Sequence, residues 1–545
     1  MQHVIAGPIS SRSRRAWISP VVLSFIIYAA VLFLLPQNRD APFAIDRSSI
    51  ASAVSNAVYG VPFGTVYSGV LEHFLLRVEA PLQTIFDEIT PGKAPPGYVM
   101  KTIHDGNGSG YIVVATIALR VFGLYSWSLP LLMLGFMGFS AFALLARFGG
   151  HAADVVILYF CGLTVMLFTA LVWNPANSLQ MSVGCSRYFT LVAIFPAFHL
   201  LFEIMEGSRR SRRNHFLLGA QTVMLVLSVL VRSSAAPTVG VIGLVWLLLL
   251  WRRRHEAGEM WLLTRQGVII ALAGVGFLGL VLLSLPFDYV NEGRLTKTFW
   301  ELIVVSLGTN PAWPFSDLRE IFDCGRFIPE GLVSNISDRN GHCIWWDYAT
   351  KHQITVNDAV DGVYGGRYET AMREAFFRIA RFYPGEVLKT FFYYKPKMIV
   401  SSIFSGSQMN LSVFPLSAIG LLVGALVNFV INFIAAPRLP IPNRMHIAKG
   451  ALLFAVSTIP SYLVAWANPW TTGDLLFCCI FCTGLLLGVV VAMGSRALSR
   501  LLQVTALNSK GKVPVASSPS LHNRYGTSSS YRSMEVEGGS GYGDG

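Results

Sequence analysis

The chain has 545 residues, of which 53% are hydrophobic and only 13% charged, and apolar runs near the ~20 residues that span a bilayer recur along it. This balance excludes a water-soluble globular protein and points to an integral membrane protein with many spans. The formal net charge of +12 lies in short clusters beside apolar runs, which is how a membrane protein is oriented, so nucleic acid is not expected as a partner.

Residues 1–16 read as a cytoplasmic N-terminus. Arg12, Arg14 and Arg15 before the apolar run 17–36 give the start the look of a signal peptide, but the run is long and no small-residue cleavage site follows, so an uncleaved first span is expected. Further spans are predicted at 126–147, 154–173, 188–205, 215–231, 238–251, 267–285, 411–436, 450–467 and 473–494, ten with the first. With the N-terminus inside, the basic clusters at 209–213, 252–254, 437–444 and 496–512 all fall inside, as the positive-inside rule requires. An extra span at 111–124 would throw two of these clusters outside, so that stretch is expected to lie along the outer interface or to re-enter. The chain thus reads as an all-α polytopic protein. A transmembrane core at 17–285 includes a first outer loop at 37–125, and a second outer loop domain occupies 286–405. C-terminal spans at 406–494 and a disordered cytoplasmic tail at 495–545 complete it. No internal repeat is visible, which weakens an inverted-repeat transporter reading.

The first outer loop opens with "AIDRSSIASAVSNAVYG" (44–60), where Ile50, Ala53, Val54 and Ala57 recur at helical spacing. Residues 47–58 are predicted to form a short amphipathic helix on the membrane, with Asp46 at its start. An Asp there is a common helix cap, and it is also where a catalytic acid would meet the membrane surface. Downstream, "HDGNGSG" (104–110) is a glycine-rich turn in which Asp105-Gly106 is a turn signal, and it lacks the lysine of a phosphate loop.

The first span, the acid shortly after it, the short helix and "GYIVVATIALRVFGLYSWSLPLLMLGFMGFSAFALLARF" (110–148) together resemble the GT-C superfamily of polyprenyl-phosphate-dependent glycosyltransferases. The similarity is greatest to the branch holding lipid A aminoarabinose transferases and protein mannosyltransferases, and it covers residues 15–205. In that family an interfacial helix leads into an inward span and a basic turn, the place of Arg147 here, and the catalytic acid follows span one, the place of Asp46. The resemblance implies a sugar donor on a polyprenyl phosphate, an envelope glycan, lipid or protein acceptor on the outer side, and inversion with Asp46 as general base. The two-sided pattern suits a bacterial inner membrane, with membrane lipid as a partner, although Asn107-Gly108-Ser109 and Asn335-Ile336-Ser337 would be usable glycan acceptors in a secretory pathway. Two departures bear on cofactors. The family often has Asp-Glu where this chain has Asp46-Arg47, and a second acid where this chain carries Arg187. A divalent metal is therefore possible but not favoured, since hard cations need several oxygen ligands. The leaving phosphate would then need arginines, and Arg47, Arg187 and Arg232 are the candidates, with Asp105 a further substrate-binding candidate. For each arginine, snorkelling to the surface or pairing with a structural carboxylate is the slightly favoured alternative.

The second outer loop holds Trp300, Trp313, Trp345 and Trp346, and its Cys324 and Cys343 suit either a disulfide or two thiols. His342, Asp347 and His352 have no metal-ligand spacing. Residues 367–397 read as a basic amphipathic helix broken at Pro384 and lying on the outer surface. Two competing functions remain. An O-antigen polymerase or ligase would put its critical residues at 286–405, and a lipid-linked-sugar flippase would carry charges within its spans.

Overall fold

The apolar runs become helices packed on one another. The computed structural model describes residues 11–34, 47–76, 80–90, 92, 96–102, 109–149, 152–173, 189–206, 212–232, 235–285, 299–310, 322, 338–355, 366–397, 441–459, 481–482, 485–486 and 490. The chain opens with α1 (Ser11–Leu34) and α2 (Arg47–Tyr59), followed by a short strand β1 (Thr65–Tyr67), α3 (Ser68–Leu76) and α4 (Leu82–Asp87). The strand β2 (Met100–Thr102) returns antiparallel to β1, pairing Val66 with Lys101. Next come α5 (Ser109–Phe122), α6 (Ser128–Phe148), α7 (Ala153–Trp173), the single turn α8 (Phe189–Val192) and α9 (Ile194–Glu206). Then follow α10 (Arg212–Val231), α11 (Ala236–Arg252) and α12 (Ala257–Ser284). The later part holds α13 (Phe299–Ser306), α14 (Asp338–Lys351), α15 (Gly366–Phe382), α16 (Pro384–Lys389) with a π-helical turn at Thr390–Tyr394, and α17 (Ile441–Ser457).

Local chemistry sets several boundaries. Gly149 ends α6 at φ 62°, a left-handed position that glycine takes without strain. Proline in the first turn opens α11 and α16, where its missing N–H would have found no partner in any case.

Ser128–Phe148, Phe189–Glu206, Arg212–Val231 and Gly258–Ser284 are long and apolar enough to cross a membrane. Shorter apolar helices occupy the predicted spans at Pro20–Phe33, Ala152–Thr164 and Ala236–Arg252, and another lies at His446–Ser457. The predicted span 411–436 and most of 473–494 lie outside the described residues. On α12, Leu272, Val275, Leu280 and Leu283 are each 69–86% exposed, an arrangement suited to a hydrocarbon solvent rather than to water.

Two cores hold the described residues together. The larger joins α1 to α12 and α17. Phe25 and Tyr28 of α1 meet Phe160 of α7 with ring centres 5.1 and 5.5 Å apart, and Phe198 and Phe202 of α9 close on Gly450 of α17. The smaller core gathers Val304, Leu307, Trp345, Tyr368, Met372 and Ile379 from α13, α14 and α15. There the Glu369 carboxylate accepts the backbone N–H groups of Trp300 (2.8 Å) and Glu301 (3.2 Å), which the start of α13 would otherwise leave unpaired. Cys343, in the same core, is disulfide-bonded, while Cys324 lies outside the described residues.

One expectation needs correction. The helix at 47–58 forms, but it does not present a polar face to water: from Arg47 to Asn56 every residue except Ser48 is buried. Ser52 and Ser55 are hydrogen-bonded inside, because the segment that follows the helix folds back over it.

Candidate functional site

The site named from the sequence centres on the start of α2. Arg47 is its first residue and is 1% exposed. Its guanidinium donates to the Ala80 carbonyl at 3.0 Å and to the Phe74 carbonyl at 3.5 Å, tying the start of α2 to the junction of α3 and α4. Along the helix, Ser52 Oγ donates to the Thr65 carbonyl at 2.7 Å and Ser55 Oγ accepts the Tyr67 N–H at 3.4 Å. At the far end Arg120 of α5 donates to the Asn56 carbonyl at 3.1 Å, and the Asn56 amide donates to the Val61 carbonyl. The small residues of α2 admit this close cover, so the helix is held by charge-assisted or side-chain bonds from one end to the other.

The second element is α5, whose start rests on the end of α10. A Cβ added at Gly110 would stand 2.5 Å from the Leu230 carbonyl carbon and 2.6 Å from the Val231 nitrogen. Arg232, the next residue, is half-buried and donates its N–H to the Ser228 carbonyl at 2.8 Å. The fold therefore brings the glycine-rich turn's helix against the segment that carries Arg232, and packs α2 along that same helix. Arg47 and Arg232 are the two sequence-named positions among the described residues; Asp46, Asp105 and Arg187 lie outside them.

Periodicity did not reveal a buried polar group between α6 and α9. Arg147 Nε pairs with Glu203 Oε2 at 2.7 Å, with side chains 10% and 1% exposed. Gln266 of α12 donates to the Glu203 backbone carbonyl at 3.1 Å. His199, one turn before Glu203, is fully buried, its ring edge-on to Phe148 at 5.2 Å. The available signal was His199 and Glu203 at i and i+4 within an apolar run. Glu203's partner Arg147 is 56 positions away and carries no local trace.

Of the three residues without ligand spacing, Asp347 and His352 are engaged locally, and the side chain of His342 lies outside the described ones. Asp347 pairs with Lys351 at 2.6 Å and with Arg378 at 3.8 Å, and the His352 ring lies 4.0 Å from Tyr348. Among the described residues no group of three His, Cys, Asp or Glu side chains gathers as for a metal. Burial displaces two groups in residues 299–397 in acidity, while the Glu386–Lys389 bond lowers the carboxyl and raises the amine of that exposed pair. Burial raises the Glu369 carboxyl, against the lowering by its backbone N–H bonds, and burial pushes the Lys395 amine from 10.5 down to about 6.

These observations define a class, a chain whose described residues are largely helical, with apolar helices suited to several membrane crossings and a second, separate core. No family model and no curated protein matches the chain. Among solved structures it is similar to the crystal structure of ArnT from Cupriavidus metallidurans in the apo state, at 13% identity, covering 88% of this chain and 76% of that one, with a TM-score of 0.31. A superposition this loose carries no argument about activity.

Proposed function

We propose that the chain is a membrane-embedded glycosyltransferase that moves a sugar from a polyprenyl-phosphate donor to an envelope glycan, lipid or protein on the outer side. Asp46 takes the proton from the acceptor hydroxyl or amine as that atom bonds to the anomeric carbon. The carbon's bond to the phosphate oxygen breaks, the electron pair leaves with the polyprenyl phosphate, and the configuration inverts. Arg187 and Arg232 offset the charge on the leaving phosphate, and Asp105 contributes to substrate binding. Arg47 contributes as the residue that fixes the acid's segment, since its guanidinium donates to two backbone carbonyls.

The observation that carries this reading is the burial of α2. A helix bonded along its whole length is a rigid mount for the residue just before it, and a general base needs its position fixed to a fraction of an ångström. The polymerase or ligase reading draws on the separate core of the outer segment.

The test is transfer from a labelled polyprenyl-phosphate sugar pool to total envelope acceptors, with the wild-type protein and Asp46→Asn compared at matched membrane levels. A loss of roughly 10² to 10⁴ in rate is expected for a missing base. Equal transfer by both proteins sinks the role of Asp46 and moves the search to the second outer segment. No transfer by either sinks the choice of donor.

A further inference from the structure

Among the described residues of 299–397 many apolar side chains enter the smaller core, while Phe299, Phe377 and Phe382 are exposed singly and one further exposed group clusters beside lysines. Leu388, Phe392 and Tyr393 are 57%, 78% and 58% exposed. Leu388 lies one turn before the adjacent pair Phe392 and Tyr393 along α16 and the π-helical turn, while Val387 and Thr390 are buried. Lys389 and Lys397 flank the exposed group, each four residues from Tyr393, and Lys397 Nζ lies 5.8 Å from the Tyr393 ring centre. Lys389 is bonded to Glu386 at 2.6 Å; Lys397 extends the patch toward the next predicted span.

We infer that this face docks on the outer surface of the bilayer, with Leu388, Phe392 and Tyr393 entering the headgroup region and Lys397 meeting anionic lipid headgroups. Leucine and aromatic rings edged by lysine are the composition of interfacial anchors, because ring and stem bury in the acyl boundary while the ammonium stays among phosphates. Large apolar side chains with this degree of exposure also line α12, a helix suited to lipid. The segment is leashed to spans on both sides: 13 residues separate Lys397 from the run at 411–436, and 14 separate Leu285 from Trp300. Such leashes reach at most roughly 50 Å, so the membrane is present at high effective concentration. The inference needs only a chain that crosses a bilayer and does not rest on the transferase reading.

The experiment uses the full chain in nanodiscs with the photoreactive residue p-benzoylphenylalanine at position 392, and the same residue at position 351 as a control. Position 392 is already exposed, so the substitution leaves the core intact. Illumination is expected to yield a lipid adduct at 392 and none at 351. The yield should be about five-fold greater in phosphatidylglycerol than in phosphatidylcholine, and Lys397→Gln should remove about that factor. An adduct with a second copy of the chain, no adduct at 392, equal adducts at both positions, or equal yields in the two lipids would each overturn the inference.

Discussion

Lys395 shows how much a single residue can depend on the element that carries it. It is fully buried, its Nζ lies 4.5 Å from the Phe391 ring centre, and burial lowers its pKa to about 6. A lysine whose folded pKa lies below its unfolded value opposes folding whenever it must be charged. The stability of the outer segment should therefore fall as pH drops from 10.5 toward 6, by about 1.4 kcal/mol per unit, and level off below. Lys395→Met should flatten that slope and raise stability at neutral pH, as read by hydrogen exchange of α13 and α15 across the pH range. An unchanged slope sinks the assignment. Lys395 falls within the stretch 367–397 read as basic and amphipathic, and α-helical spacing does not anticipate its burial after a π-helical turn. The misreading of α2 has a related cause. Ser52, Ser55 and Asn56 count as polar in a periodicity, and nothing local says that their partners are the backbone groups of Thr65, Tyr67 and Val61 in the segment that follows.

At the scale of elements, close approach is set by glycine. Gly110 lets α5 rest on the backbone of α10, and backbone cannot swing aside, so Gly110→Ala should displace α5 and cost about 1–3 kcal/mol. Gly135, inside α6, faces open space, and Gly135→Ala should be neutral or stabilising by about 0.5–1 kcal/mol. Thermal inactivation of the purified protein in detergent separates the two; similar midpoints would contradict the packing of α5 on α10. The same assay applies to Arg147→Ala. That change leaves Glu203 as an uncompensated charge between α6 and α9, and a loss of about 3–5 kcal/mol is expected. A midpoint unchanged from wild type would show that the pair is not what joins these helices. Helix positions were legible in the sequence wherever an apolar run was long, as for α6, α10 and α12. The contacts between helices were not, because residues such as Arg147 and Glu203 signal nothing until the chain has folded.

For the whole molecule, the charge pattern makes a prediction independent of any activity. Arg254, after α11, belongs to a cluster assigned inside, and Lys351, at the end of α14, to the outer segment. In intact cells an impermeant thiol reagent should label Lys351→Cys and should reach Arg254→Cys only after permeabilisation; the reverse order would invert the topology. The disulfide at Cys343 accords with an oxidising compartment for the segment around Lys351. The order of assembly follows from the burial of α2. Its cover, β1, α3 and α5, is encoded after it, and α5 ends 63 residues beyond Tyr59. At ~5–20 residues per second, synthesis leaves α2 uncovered for roughly 3–13 s. During that interval its serines have only water to bond, so a newly made chain is most exposed to protease attack in the segment that the finished protein guards best.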